Sequence, residues 1–309
     1  MSGKPEPAVG FHRPVLCEAV QAAALGAPRV VDATLGDGGH AEVLRSAGAE
    51  LLGIDRDPDA VRVARERLGD ERIRYLEASF ASPAALEAIR GFRPDLVLLD
   101  LGVSSRQLDR TERGFTFRPG AALDMRMERR GPTAADLLNT APRETLARWF
   151  ADFGDEPRAR RLATEIVRRR SRARFATSDD LVNAIRAVHG PRSGPDDFAR
   201  LFQAVRIAVN GELEELEEAL PALRDRLGPG GALAVISYHS GEDRIVKHAF
   251  REWSRTCVCP ATQPVCTCRG RSLGRESPRG GIVPDADEIA ANPRARSARL
   301  RVFRLAGTA

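Results

Sequence analysis

Three carboxylates each close a short apolar run. Val30-Val31-Asp32 leads into Ala33-Thr34-Leu35-Gly36-Asp37-Gly38-Gly39-His40, and Leu51-Leu52-Gly53-Ile54-Asp55 repeats the form. So does Leu98-Leu99-Asp100, followed by Leu101-Gly102-Val103-Ser104-Ser105. Strands of a parallel α/β sheet deliver ligand-binding loops in this way at their carboxyl edge. Gly36, Gly38 and Gly39 permit positive backbone torsions and close approach of a ligand. In dinucleotide enzymes such a loop holds a pyrophosphate at a helix N-terminus, but the spacing here is G-x-G-G-H, not G-x-G-x-x-G. Asp32 is a poor neighbour for phosphate and a good one for an ammonium group, which S-adenosylmethionine carries. A plain structural turn accounts for the glycines equally well.

Asp55 follows Gly38 by 17 positions, near the roughly 20-residue offset of a ribose-binding carboxylate. Its alternative role is to cap the next helix, for which Asp57 is the better candidate. Phe80 falls after the third strand, where an aromatic stacks on adenine or simply fills the core. Asp100 stands where a transferred group would sit. Beside Gly102, Ser104 and Ser105 it can accept a hydrogen bond from an exocyclic amine and aim the nitrogen lone pair at an electrophilic methyl group, which is positioning chemistry. The alternative is a solvated strand tip. Ser237-Tyr238-His239-Ser240, with Glu242-Asp243-Arg244 after it, brings further polar groups to the same edge. His239 is either a base or part of a pocket for a target nucleotide, and the second suits an amine that sheds its proton after transfer.

Arginines and aromatics mix in Arg113-Gly114-Phe115-Thr116-Phe117 and Leu123-Asp124-Met125-Arg126-Met127, a composition that suits phosphate contact and base stacking. Arg158, Arg160, Arg161, Arg168, Arg169, Arg170, Arg172 and Arg174 face few acids nearby, namely Asp155, Glu156 and Glu165. They make an electrostatic footprint for RNA, or else a solvated helix face. Cys257, Cys259, Cys266 and Cys268 are spaced C-x-C, six residues, C-x-C. Four thiolates can hold zinc tetrahedrally, but the usual pair spacing is C-x₂₋₄-C, so a reversible disulfide and unliganded thiols stay open and no metal is assigned. Cys17 reads as a buried helix residue.

The elements that must position these residues alternate. Strands are expected over 29–32, 50–55, 73–76 and 96–100, with helices over 14–25, 40–46, 58–68 and 83–89. This β-α order argues for a doubly wound, mostly parallel sheet. After about Leu108 the order stops and helical spacing takes over. Phe198 to Leu220 reads as one long helix or two joined ones. Gly228-Pro229-Gly230-Gly231 is a turn, Ala232 to Ser240 is again a buried strand, and Leu300 to Leu305 is a last one. The sheet domain thus spans 1–109 and 208–309, and an all-helical insert occupies 110–207. Residues 1 to about 12 read as a flexible tail.

The 309 residues are 42% hydrophobic and 29% charged, with a net charge of +5. That is enough for a sizeable core and favours an anionic partner. Lys4 and Lys247 are the only lysines. No apolar run approaches the roughly 20 residues of a bilayer span, and Met1 to Gly10 lacks a signal pattern. A soluble, cytoplasmic protein is expected.

Taken in order, the Asp32–His40, Leu99–Leu108, Glu112–Phe115, Leu123–Met127, Phe202–Ile207, Glu242–Lys247 and Asn292–Ser297 segments resemble the RsmH (MraW) family of bacterial 16S rRNA cytosine-N4 methyltransferases. The likeness runs from about His12 to Arg304. It implies a class I S-adenosylmethionine-dependent, Rossmann-like methyltransferase sheet with a helical substrate-recognition insert. It implies cofactor contacts at Gly38, Gly39, His40, Asp55, Phe80, Asp100 and Gln107, with Asp100 also the catalytic residue. The implied target is a cytidine amine in the decoding centre, in 16S rRNA of the small subunit or a late assembly intermediate, with neither membrane nor DNA as partner. Tyr238 and Gly241 stand where the family has Phe and Leu, and neither removes an implied contact. The cysteine cluster is not universal in the family, so the reaction does not need it.

Three other readings compete. A nicotinamide-dependent oxidoreductase lacks its G-x-G-x-x-G spacing here. A non-catalytic RNA-binding assembly factor has no use for the Gly38, Asp55 and Asp100 set. A cytosine-N4 methyltransferase of DNA carries Asp/Ser-Pro-Pro-Tyr/Phe where this chain has Asp100-Leu101-Gly102-Val103.

Overall fold

The structure, a computed structural model, describes residues 14–260, 262–263 and 265–307. The tail expected over residues 1–12 lies outside them. The chain forms two compact units, one built from the segments up to Leu101 and from Ala219 onward, the other from Gly102–Glu218. Sequence patterning instead sets the boundaries at 109/110 and 207/208, where the β-α alternation ends and resumes.

In the first unit, α1 (Cys17–Ala23) precedes β1 (Arg29–Asp32), α2 (Gly39–Ser46), β2 (Glu50–Asp55), α3 (Pro58–Leu68), β3 (Ile73–Glu77), α4 (Pro83–Phe92) and β4 (Leu96–Asp100). Their sheet has seven strands in the order β3-β2-β1-β4-β5-β7-β6, with β5 at Ala232–Ser237, β6 at Gly274–Glu276 and β7 at Arg299–Leu305. Strands β1 to β5 run parallel and β7 runs antiparallel to both β5 and β6. The inner strands read as continuous apolar runs because both faces are covered: Val30, Val31, Leu96–Leu99 and Leu233–Ile236 are all fully buried. Sequence order reverses between β1 and β4, so their carboxyl ends flank the crevice where open α/β sheets take ligands. This is the doubly wound, mostly parallel sheet that the family resemblance implies.

Helix starts follow the expected chemistry. Asp57 caps α3, its side chain accepting from the Asp59 N–H at 3.1 Å, with Pro58 in the first turn. Past β5, α12 (Ser240–Ser254) lays Val246, Phe250 and Trp253 inward. Phe250, Trp253 and Phe303 of β7 pack with ring centroids 5.3–5.6 Å apart. Neither α12 nor the three-residue edge strand β6 was legible as an element in the sequence.

The second unit is helical: α5 (Ser105–Asp109), α6 (Ala134–Thr140), α7 (Arg143–Asp152), α8 (Ala159–Arg170), α9 (Ser178–His189) and α10 (Pro195–Asn210), with α11 (Glu212–Arg224) beginning here and ending in the first unit. Leu138, Leu146, Phe150, Leu162, Ile166, Leu181, Ile185, Leu201 and Val205 form its fully buried core. The Phe198 to Leu220 stretch is two helices, broken at Gly211. No helix among the described residues is long and apolar enough to cross a membrane.

Candidate active site

The carboxyl edge of the first unit gathers the three acids. Asp32 is 1% exposed at the end of β1, and its Oδ1 accepts from the Thr34 N–H at 3.3 Å. Thr34 Oγ1 in turn accepts from the Asp100 N–H at 2.6 Å, tying the tip of β4 to the turn after β1. Asp55 ends β2 with one oxygen accepting from the Gly36 N–H at 2.8 Å and the other from the Asp57 N–H at 2.8 Å. It therefore fixes the glycine loop and retains a second lone pair on each oxygen. Gly38 is the N-cap of α2 at φ 79°, and a Cβ there would lie 2.8 Å from Leu68 Cδ1. Only glycine takes that turn without strain.

Burial raises all three acids, and a neighbouring carboxylate adds to it in each case: Asp100 and Asp55 for Asp32, Glu242 for Asp100 and Asp57 for Asp55. Burial first, then Asp100 and Asp55, push Asp32 to about 7. Burial and Glu242 push Asp100 to about 7 against a lowering bond from Tyr238. Burial raises Asp55 to about 6, offset by its two backbone donors and by Arg56. His40 supplies no compensating charge. Its Nε2 lies 3.6 Å from Asp100 Oδ2, too far for a hydrogen bond, and burial lowers the imidazole to about 4, so the ring is neutral at pH 7. That Nε2 is buried without a hydrogen-bond partner. Across the edge, the Tyr238 hydroxyl donates to Asp100 Oδ1 at 2.8 Å. Glu242, buried in the first turn of α12, accepts from the Tyr238 N–H at 2.7 Å and the His239 N–H at 3.3 Å. Its Oε1 lies 3.1 Å from His239 Nε2.

The description "MraW methylase family" matches residues 10–306. The chain belongs to the MraW methylase family. A relative named Ribosomal RNA small subunit methyltransferase H, from Gemmatimonas aurantiaca, is 57% identical over 302 residues, covering 96% of each chain. A second of that name, from Rubrobacter xylanophilus, is 46% identical over 310 residues and 97% of each chain. Among solved structures, an rRNA methylase from Streptococcus thermophilus aligns at a TM-score of 0.38 and 12% identity, over 90% of this chain and 86% of that one, too loosely to bear on the argument.

A family member of this fold uses S-adenosylmethionine, and the donor set fits it. A cluster of raised carboxylates beside a neutral imidazole favours a cationic ligand, and S-adenosylmethionine carries a sulfonium and an ammonium. Phe80 sits past β3 with 8% of its surface exposed, on the flank where the adenine was expected.

Gln107, an expected cofactor contact, is 6% exposed and completes a capping box on α5: its Oε1 accepts from the Ser104 N–H at 3.0 Å and its own N–H donates to Ser104 Oγ at 3.2 Å. The Arg113–Phe117 and Leu123–Met127 motifs are not an exposed RNA-binding loop. Phe115, Leu123, Met125 and Met127 are core, and Arg113 is 5% exposed with Nη2 donating to the Arg126 and Met127 carbonyls at 3.1 Å. Gly114, at φ 74°, brings backbone against backbone: a Cβ there would lie 2.3 Å from the Ala122 carbonyl oxygen. Arg126 instead pairs with Asp124 at 2.7 Å.

The arginine-rich stretch divides. Arg170 donates to the Leu138 and Ala141 carbonyls at 2.9 and 2.7 Å, and Glu165 pairs with Arg168 and Arg169 at 2.6 and 2.7 Å. Arg160, Arg161, Arg172 and Arg174 are exposed. Arg168, Arg169 and Arg172 line a pocket of about 250 Å³ with Ala173, Phe175 and Asp180. In the sequence Tyr238 and Glu242 read only as further polar groups at this edge, with no partner assigned, and Thr34 carried no role of its own.

Proposed function

We propose that this protein transfers a methyl group from S-adenosylmethionine to the exocyclic N4 amine of a cytidine in the decoding centre of 16S rRNA, within the small ribosomal subunit or a late assembly intermediate. The single observation that supports Asp100 as the catalytic residue is its fixation at the β4 tip by the Thr34 and Tyr238 hydroxyls, with its acidity moved to about 7. Gly38, Gly39, His40, Asp55 and Phe80, with Gln107, would hold the cofactor, which supplies an electrophilic methyl group when bound. Asp55 would accept the ribose hydroxyls on its remaining lone pairs.

Asp100 accepts one N4–H of the cytidine and turns the nitrogen lone pair toward the methyl carbon, a positioning effect. Once the new N–C bond forms, the amine holds one proton too many, and a carboxylate near 7 is matched to take it at neutral pH. The base must leave its stack to reach Asp100. Exposed Arg160, Arg161, Arg172 and Arg174 would hold RNA phosphates. The reaction would take place in the cytoplasm, where small subunits are assembled.

The test uses small subunits from a strain lacking this gene, incubated with the protein and radiolabelled S-adenosylmethionine. The RNA is digested to nucleosides and the labelled one identified by mass. Label in N4-methylcytidine, or its 2′-O-methylated form, is the expected result. Label in another nucleoside overturns the choice of atom. Cofactor binding without label points to an earlier assembly intermediate as substrate, and loss of both sinks the methyltransferase mechanism.

A further inference from the structure

We propose that Cys257, Cys259, Cys266 and Cys268 form a tetrathiolate site for one zinc ion, and that this ion holds together the connection from α12 to β6. The four Sγ atoms all lie within 4.8 Å of one another. Cys257 and Cys266 are 3.8 Å apart, Cys259 and Cys266 3.9 Å, Cys257 and Cys268 3.9 Å, and Cys266 and Cys268 3.4 Å. A tetrahedral zinc with Zn–S bonds of about 2.3 Å sets its sulfurs about 3.8 Å apart. A disulfide needs about 2.05 Å, and pairing in twos gives no reason for four sulfurs to converge on one point.

The surroundings agree. The Val258 N–H donates to Cys268 Sγ at 3.4 Å, the type of outer hydrogen bond that metal-bound ligands carry. From Arg255 to Leu273 the chain forms no helix or strand, and none of its described residues is buried. A connection of that length without a core of its own needs another source of order. Its ends are tied: the Leu273 N–H donates to the Trp253 carbonyl at 2.9 Å, and Arg269 reaches Glu252 Oε1 at 2.9 Å. Among the described residues nothing apolar closes the middle, where the four thiols meet. A bound metal supplies that closure, because binding energy becomes folding energy where no core exists. From Arg255 through Arg275 the sequence has four arginines, both ends included, and no acid, a setting that favours four thiolates and their metal's net negative charge.

The C-x-C spacing is tighter than the common zinc pattern, which is why the sequence left the site open. In the structure the two tight pairs nevertheless bring all four Sγ atoms within 4.8 Å of one another.

The experiment is metal analysis of the full-length protein purified without chelator, by inductively coupled plasma mass spectrometry. One zinc per chain is expected. It should be lost in a Cys257→Ser/Cys268→Ser double variant and kept in Cys17→Ser, whose thiol lies elsewhere in α1. Cobalt added to the metal-stripped wild-type chain should give the intense visible bands of a tetrahedral thiolate site, and trypsin should cut after Arg255 and Arg271 faster in stripped than in loaded protein. If the double variant fails to fold, the wild-type cobalt spectrum decides alone. A chain without stoichiometric metal and without those bands overturns the proposal, as does a disulfide between any two of the four cysteines. All of these readouts are independent of methyl transfer.

Discussion

Cofactor binding should be coupled to proton release, and the coupling can be worked from the site. Asp32 and Asp100 lie near 7 and Asp55 near 6 in the free protein, because burial, with neighbouring carboxylates, holds their protons on. A cationic ligand reverses the local field and favours all three carboxylates. The free protein therefore carries more protons than the complex between pH 6 and 8, and affinity must rise with pH across that interval. A group with a pKa of about 7 is ionised in about one molecule in ten at pH 6, so each such group weakens binding on the order of tenfold there relative to pH 8, about 1.4 kcal/mol. Asp32 and Asp100 together set a ceiling of roughly 100-fold, approached less closely because coupled carboxylates titrate as a pair. His40, at about 4, is neutral throughout and adds nothing. Titration calorimetry at pH 6, 7 and 8, in buffers of different ionisation enthalpy, reads both affinity and protons released. Asp32→Asn should remove one group's share of the slope. S-adenosylhomocysteine, which lacks the sulfonium charge, should give a shallower slope than S-adenosylmethionine. An affinity flat from pH 6 to 8 with no proton release would refute the electrostatic account of the site. The same shifts fix the sign for folding: above the unfolded value of 3.8 the folded chain holds protons that the unfolded chain has lost, so the ligand-free protein should lose stability as the pH rises from about 4 to 7.

Tyr238→Phe restores the ring that the family pattern carries and deletes the hydroxyl on Asp100. Losing a bond to a charged group, about 1.5 kcal/mol or more, should lower methyl transfer roughly tenfold and shift its acid limb to higher pH, read from a pH–rate profile; an unshifted limb would show that the bond does not set the acidity of Asp100. Gly38→Ala forces a non-glycine residue to φ 79° and meets Leu68, so urea unfolding should show a loss of about 1–2 kcal/mol together with weakened cofactor binding. Arg113→Ala strands two carbonyls in the helical core and should destabilise by about 3 kcal/mol without weakening RNA binding; a drop in RNA affinity in the folded variant would return the residue to the interface.

What the sequence disclosed was set by burial. Strands β1, β2 and β4 stood out because a parallel sheet covers both faces and leaves an uninterrupted apolar run, and the acid at each tip marks where that cover ends. Edge strand β6, Gly274-Arg275-Glu276, buries no side chain and so carries no pattern. Helix α12 does carry one in Val246, Phe250 and Trp253, but the polar Ser240–Arg244 stretch that opens it reads first as site chemistry. The boundary of the helical unit moved to Gly102 because β4 ends at Asp100 and the turn that follows no longer packs as sheet.

Composition misled where side chains bond to backbone. Arg113, Phe115 and Arg126 have the residue types of a nucleic-acid loop, yet a guanidinium satisfies buried carbonyls as readily as phosphates, and only the fold tells which. The exposed arginines of α8 and its C-terminal extension differ from Arg170 and Arg113 in no feature of their local sequence. The hydroxyl of Tyr238 poses the same problem in reverse. Its partner is Asp100, 138 positions away, brought close because β5 pairs with β4 in register Asp100 against Ile236. A residue two positions past that pair reaches the Asp100 carboxylate whatever its type, and phenylalanine there would pack equally well. Periodicity can place the ring at the sheet edge, but only the register shows that its hydroxyl has an acceptor. The tyrosine should therefore be judged by the acidity of Asp100, not by stability.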